Sequence, residues 1–408
     1  MKTVIFNLGC KVNQYDGDAL AELLTKKGHE VSLKLEYADV YVINTCAVTA
    51  EAERKSRQAV SRVRKLNPNA DIYVIGCAAQ HGARAFSDKG VKYVGGTAAK
   101  ARVADLPEGV HVCDIPAVYE DYGFGKPMRT RSYVKIQDGC DNYCSYCLVP
   151  YLRGPSRSRS PESVKREISA LSDTCKEIVL TGINLSAYGK DTGSSLTELL
   201  TELSDCNARI RLGSLEVSVI DKDFLKATLK LKKFCPHFHL SLQSGDNRVL
   251  AAMNRHYTAE EYRERTELIR KFYPDAAITT DIIAGFPTET REEHFNTLKF
   301  AREIGFADIH AFAYSLREGT AAAKLEQVDD AEKECRAVEL SELKKELRKS
   351  YAGKFTGKTA EVLLEDVEKG YMTGYTRNYV KAYCRTGKSG EIKTGVCVGL
   401  FGDGLLIE

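Results

Sequence analysis

Gly139-Cys140-Asp141-Asn142-Tyr143-Cys144-Ser145-Tyr146-Cys147 decides how this chain is read. Three thiols stand at the spacing C-x3-C-x2-C. Cysteine thiolates are the usual protein ligands of iron–sulfur clusters, and a four-iron cluster has four irons to ligate. Three cysteines leave one iron open, and an open position separates a catalytic metal site from a closed structural one. Residues four and seven apart can share a helical face, but Gly139, Asp141 and Asn142 favour a turn. The stretch reads as a loop wrapped round a metal group, entered from a strand at Ser132–Gln137. A zinc knuckle or three unrelated buried cysteines are the plainer alternatives; no fourth Cys or His lies nearby.

Upstream, three apolar runs (Thr3–Asn7, Val40–Asn44, Ile72–Ile75) alternate with helix-like segments around Gly17–Lys27 and Ala50–Leu66. Such alternation predicts a parallel α/β sheet. A cysteine follows each strand: Leu8-Gly9-Cys10, Asn44-Thr45-Cys46 and Gly76-Cys77. In an open parallel sheet the carboxyl ends of the strands share one edge, where ligands bind. The three thiols therefore converge although they are far apart in sequence. The alternative is cysteine as a small core hydrophobe. Arg54–Lys65 carries six basic residues and no acid, which suits phosphate contacts or a solvated helix face.

Downstream, six strand-like runs are Ser132–Gln137, Glu177–Leu180, Arg209–Leu215, Phe238–Leu242, Ala277–Ile283 and Ala307–Ala313, with amphipathic stretches between them. This is an incomplete relative of the eight-fold barrel, whose working groups sit at the carboxyl ends of the strands. Polar residues fall there: Thr181-Gly182, Glu216 after Ser214-Leu215, Gln243-Ser244-Gly245, Asp281 and Tyr314-Ser315. Arg153, Arg157 and Arg159 cluster after the cysteine loop, where a barrel-mouth segment can meet phosphate. Asp329–Lys349 reads as a long charged helix that closes the barrel or joins domains.

Thr359–Leu364, Tyr379–Tyr383 and Gly395–Val398, among Gly-rich turns, predict a small antiparallel barrel. There Tyr375, Arg377, Tyr379, Lys381 and Tyr383 alternate basic and aromatic groups, suited to stacking bases or to half-buried strand packing. The 408 residues divide into 1–122, a linker at Gly123–Pro127, a barrel over 126–353 and a small domain over 354–408. The net charge of +3 does not demand a nucleic-acid partner. With 13 cysteines, no signal-peptide pattern and no apolar run of about 18 residues, a cytoplasmic protein without a membrane anchor is expected, its thiols reduced or metal-bound. Cys113, Cys175, Cys206, Cys235, Cys335, Cys384 and Cys397 have no motif around them and read as structural.

The central motif resembles the signature of radical S-adenosylmethionine (SAM) enzymes. The resemblance implies a [4Fe-4S] cluster on Cys140, Cys144 and Cys147 whose open iron binds SAM and cleaves it to a 5′-deoxyadenosyl radical. It places Tyr146 near the adenine and Thr181 and Gly182 beside the SAM amino group. Glu216, Gln243 and Asp281 would line the cleft with Arg255, of Met253-Asn254-Arg255-His256-Tyr257. Thr288 after Pro287, and Leu316 and Glu318 in Tyr314–Thr320, depart from the family pattern. Leu8–Asp16, Asn44–Thr49 and Gly76–Gln80 are similar to the amino-terminal domain of the methylthiotransferases, which implies a second [4Fe-4S] cluster on Cys10, Cys46 and Cys77. Cys10-Lys11-Val12-Asn13-Gln14 and Arg54-Lys55-Ser56-Arg57-Gln58 resemble the threonylcarbamoyladenosine tRNA type, and the last domain resembles the RNA-binding TRAM module.

Taken together, the resemblance implies an enzyme that places a methylthio group on carbon 2 of threonylcarbamoyladenosine in the tRNA anticodon loop. One SAM would supply the methyl group, a second the radical, and a reductant such as flavodoxin or ferredoxin the electron. The rivals are a methylthiotransferase acting on isopentenyladenosine tRNA or on a ribosomal-protein aspartate. A rival of another class is a non-catalytic iron–sulfur protein that binds RNA or carries electrons.

Overall fold

The computed structural model describes residues 1–124 and 129–408, so the linker expected at Gly123–Pro127 lies largely outside the described residues. The first unit is built on strands β1 (Lys2–Asn7), β2 (Glu30–Ser32), β3 (Val40–Thr45), β4 (Asp71–Gly76), β5 (Tyr93–Gly95) and β6 (Gly109–His111). They form one parallel sheet in the order β2-β1-β3-β4-β5-β6. Every residue of β3 is buried, as a central parallel strand covered on both faces requires. Successive side chains point to opposite faces: Tyr41 and Ile43 join one core and Val40 and Val42 the other.

Helix α2 (Ala50–Leu66) has the bounds expected, and the Thr49 side chain caps it by accepting from the Ala52 N–H. Helix α1 runs over Lys11–Lys26, starting well before Gly17. Its start was not legible because Cys10 occupies the N-cap without a capping side-chain bond.

In the central unit, β7 (Arg131–Lys135), β10 (Glu177–Thr181) and β11 (Arg209–Leu212) form one parallel sheet. β12 (Ser214–Leu215), β13 (His237–Leu240), β14 (Ala277–Ala284) and β15 (Asp308–Ala313) form the next. A short antiparallel pair, β8 (Gln137–Asp138) with β9 (Arg157–Ser158), frames the cysteine loop. The run expected as one strand over Arg209–Leu215 breaks at Gly213, where the two sheets meet. The series is thus a six-strand partial barrel. Its outer helices are capped as the sequence suggests: Thr258 and Thr290 form capping boxes with Glu261 and Glu293, each cap worth about 1 kcal/mol. The helix Asp330–Gly353 packs Leu340, Leu343 and Leu347 into the barrel core and also meets the last unit. Among the described residues no helix is long and apolar enough to cross a membrane.

The last unit is a closed barrel of β16 (Thr359–Glu368), β17 (Tyr371–Thr376), β18 (Lys381–Cys384), β19 (Ile392–Phe401) and β20 (Gly404–Ile407), in the order β16-β17-β18-β20-β19. Its β18–β20 pair is parallel, so the barrel is not wholly antiparallel. The aromatic–basic alternation is spent on docking rather than displayed. Tyr379 stacks on His237 at 4.3 Å and on Tyr375 at 4.6 Å, Arg131 and Arg211 lie over the Tyr379 ring, and Arg377 donates to the Phe234 carbonyl at 2.6 Å. Tyr383 is buried against Asp403. Strand packing, not base stacking, accounts for these residues.

A chain of buried charges ties the first unit to the second. Lys100 and Lys135 grip Asp16 at 2.6 and 2.7 Å, and Lys135 reaches Asp138 at 3.3 Å. Arg153 pairs with Asp138 at 2.8 Å and donates to Asn13 at 2.8 Å. The Lys135 ammonium also sits within 5.7 Å of the rings of Tyr15, Tyr119 and Tyr122, close enough for cation–π attraction. Burial alone would raise the carboxyls of Asp16 and Asp138, but the surrounding cations hold both well below the usual range. Arg153, Arg157 and Arg159, expected as a phosphate-facing loop, are all buried. Arg157 donates to the Arg153 carbonyl and Arg159 pairs with Glu167.

Two stability effects follow. Asp16→Ala leaves the buried Lys100 without a carboxylate and Lys135 with Asp138 alone, and should cost about 3–5 kcal/mol, read as a lower urea midpoint. Thr288 sits at φ 66°, a left-handed conformation unfavourable for a β-branched residue. Thr288→Gly should therefore raise the midpoint by about 1 kcal/mol of stability.

Candidate metal centres and cofactor cleft

The loop Gly139–Cys147 is pinned at both ends. Gly139 has φ 76°, and a Cβ there would lie 1.9 Å from the Pro155 carbonyl oxygen, so glycine is required. The Cys140 N–H donates to Gly154 O at 3.0 Å, Ser145 N–H to Met253 O at 3.0 Å, and Ala322 N–H to Ser145 O at 2.7 Å. Asn254 Nδ2 spans the Asn142 and Tyr143 carbonyls, at 3.1 Å each. The turn presents Cys140, Cys144 and Cys147 together. Burial pushes the Cys147 thiol up to about 12, and Cys144 and Cys140 add to the shift.

Arg255, singled out in the sequence, donates to Cys144 Sγ at 3.1 Å and to Glu216 Oε1 at 2.8 Å. Asn142 Nδ2 reaches the same Glu216 oxygen at 2.7 Å. Thr181 is buried at the end of β10. Gly182 approaches Gln137 so closely that a Cβ would meet its Oε1 at 2.9 Å. Gln137, wholly buried, donates to Gly139 O at 2.7 Å and accepts from Asn184 N–H at 2.8 Å. Sequence reasoning passed over Gln137, although a polar residue ending an apolar strand was a signal. Tyr146 packs with Met253, Phe286 and Tyr314. Gln243 takes φ 69° and its backbone brackets Asp281, with N–H to Asp281 O at 2.8 Å. The Asp281 carboxylate does not join Arg255; it meets His239 and His310 instead.

Cys10, Cys46 and Cys77 follow β1, β3 and β4 on one edge of the first sheet. A Cβ on Gly9 would lie 2.7 Å from Cys46 Sγ, so that thiol lies against the Cys10 loop. Burial pushes Cys46 up to about 11, with Cys77 and Cys10 adding. Asn13 holds the loops by donating to Leu8 O and Thr45 O at 2.9 and 2.8 Å. Ser56 Oγ accepts from the Cys46 N–H at 3.0 Å. Arg153 Nε lies 3.4 Å from Cys77 Sγ. Each triad therefore has one arginine directed at one of its sulfurs, a hydrogen bond of the kind that tunes cluster potential. Of the other cysteines, Cys175, Cys235, Cys384 and Cys397 are buried as expected, whereas Cys335 is exposed.

The donor sets fit clusters better than single ions. Among the described residues neither triad brings its three sulfurs within 4.8 Å of one another. Tetrahedral zinc, with Zn–S bonds of about 2.3 Å, needs sulfurs roughly 3.8 Å apart. Thiolates are the binding form, so loading either triad releases protons.

A six-strand partial barrel with this three-cysteine loop defines a radical SAM fold. Residues 134–301 match the model of the Radical SAM superfamily, and residues 2–95 that of "Uncharacterized protein family UPF0004". The chain is similar to a radical SAM methyltransferase, TsrM, of Kitasatospora setae at a TM-score of 0.59 and 14% identity, covering 79% of this chain and 76% of that one. It is 39% identical to the threonylcarbamoyladenosine tRNA methylthiotransferase MtaB of Bacillus subtilis (strain 168), over 90% of this chain and 86% of that protein. It is 37% identical to a tRNA-2-methylthio-N(6)-dimethylallyladenosine synthase of Thermoanaerobacter sp. (strain X514), over 88% and 81%. The chain belongs to the radical SAM tRNA methylthiotransferase family, and it is an enzyme that transfers sulfur-containing groups.

Anaerobically reconstituted protein should carry about eight irons, four per cluster. Replacing Cys140, Cys144 and Cys147 together with alanine should halve the iron, measured by elemental analysis. Full retention would place the ligands elsewhere.

Proposed function

We propose that this enzyme methylthiolates carbon 2 of threonylcarbamoyladenosine beside the tRNA anticodon. In this reading Cys140, Cys144 and Cys147 hold one [4Fe-4S] cluster and Cys10, Cys46 and Cys77 a second. When bound, the clusters supply reductive SAM cleavage and the sulfur chemistry of the transfer. Arg255, Glu216 and Asn142 shape the SAM cleft with Tyr146, Thr181, Gly182 and Gln243. Gln137 fixes the loop entry against the second strand. Arg153 and the buried charges beneath it hold the two triads in fixed relation, as a reaction passing between them requires.

The observation that supports the substrate reading is a basic side chain beside the second cysteine triad. Lys11 directly follows Cys10, and among the described residues no carboxylate pairs with it. A threonylcarbamoyl group brings a carboxylate that isopentenyladenine lacks, and the Lys11 ammonium suits it. The target base must leave its stack to reach such a site. Lys55, Arg62 and Lys65 of α2 line a shallow groove with Phe6 and Leu8, beside the Cys10 loop, where an RNA backbone finds phosphate contacts. The Thermoanaerobacter relative favours a second reading, the isopentenyl-modified base.

Turnover on one tRNA in three states separates the readings. The threonylcarbamoylated form should react, with the unmodified form slower by on the order of 10⁴-fold, because a site built for a carboxylate is left with unpaired polar groups. Lys11→Ala should erode that preference. Turnover confined to isopentenylated tRNA would overturn the assignment.

A further inference from the structure

Three neighbouring strands of the barrel carry ligand-type side chains that the chemistry above leaves unused. His239 lies on β13, Asp281 on β14 and His310 on β15. The register sets Asp281 opposite His310, and His239 opposite Thr279, two residues before Asp281. Alternate strand residues share a face, so the three groups meet in the lumen. Asp281 Oδ2 is 3.2 Å from His239 Nε2, and Oδ1 is 3.2 Å from His310 Nδ1. The three ligand atoms lie within 4.8 Å of one another. Metal–ligand bonds of about 2.0–2.1 Å set ligand atoms roughly 3 Å apart, so little movement is needed to close the set on an ion.

The surroundings favour a cation. His239 Nδ1 is 3.0 Å from Thr279 Oγ1, and His237 Nε2 is 2.8 Å from the same hydroxyl. An outer hydrogen bond of this kind fixes ring orientation and leaves the far nitrogen free for a metal. Among the described residues no lysine or arginine pairs with Asp281. The His310 side chain is 48% exposed against 10% for His239, which leaves one side open for entry. Two imidazoles and one carboxylate with open positions form a set that takes divalent first-row metals.

We propose that His239, Asp281 and His310 bind one divalent cation of the zinc class in the barrel lumen, apart from both cysteine triads. Its open positions face the substrate side and suit a hard oxygen ligand such as the substrate carboxylate. That last role rests on the function proposed above; the metal site does not.

The test uses cluster-loaded enzyme dialysed against zinc, with iron and zinc measured together by elemental mass spectrometry. About one zinc per chain is expected, lost in both His310→Ala and Asp281→Asn while iron content and the melting temperature measured without zinc stay unchanged. His310 is exposed enough that its replacement leaves the fold intact. No zinc in the wild type, or zinc retained in both variants, overturns the site. If His310→Ala loses zinc yet still discriminates threonylcarbamoylated from unmodified tRNA as the wild type does, the recognition role falls. The metal site and the function reading then both stand.

Discussion

The structure depends on a buried ionic chain, Lys100–Asp16–Lys135–Asp138–Arg153, that crosses from the first sheet to the barrel. Removing five charges from water is costly, and a buried ion pair is weak evidence for stability in itself. What it provides is geometry. Each charge has its partner at one position only, so a slip between the units strands a charge in a dry interface. The chain ends at Arg153 on Cys77 Sγ, 3.4 Å away. The constraint that joins the units is therefore the one that places the second cysteine triad relative to the first.

That arrangement divides the barrel by height. At the carboxyl ends of the strands lie the cysteine loop, Arg255 and Glu216. At the amino ends Arg131 and Arg211 converge on Glu177 and present their guanidiniums to Tyr379 of the small barrel. The small barrel thus docks on the barrel at the end away from the cysteine loop. His239, Asp281 and His310 occupy the layer between. A partial barrel of six strands leaves space that an eight-strand barrel fills with side chains, and this lumen is lined with groups that carry charge.

Much of this was legible. Apolar runs separated by amphipathic segments gave the parallel strands, and cysteine after each strand of the first sheet gave the convergent edge. The rule that carboxyl ends of parallel strands share one side is enough for that. Other signals were ambiguous in principle. Arg153, Arg157 and Arg159 read as a phosphate-binding loop because arginine is usually exposed; their partners Asp138 and Glu167 are distant in sequence or looked like surface acids. Tyr375, Arg377 and Tyr379 alternate as they would in an RNA platform, and the same alternation serves docking. Asn13 stood inside a recognised motif, but nothing local says that its amide ties together two loops from different strands.

By itself the sequence determined the class of chemistry and the parallel α/β character of the first two units; the short strands β2, β5 and β6, and the order β2-β1-β3-β4-β5-β6, came only with the structure. Ligand spacing within one loop is local, and hydrophobic period fixes secondary structure within a few residues. Only the tertiary structure decided which charges are buried, which aromatics are used up in packing, and that His239, Asp281 and His310 meet. These outcomes depend on register between strands far apart in the chain. A shift of one residue turns each side chain to the opposite face, and no local pattern records it.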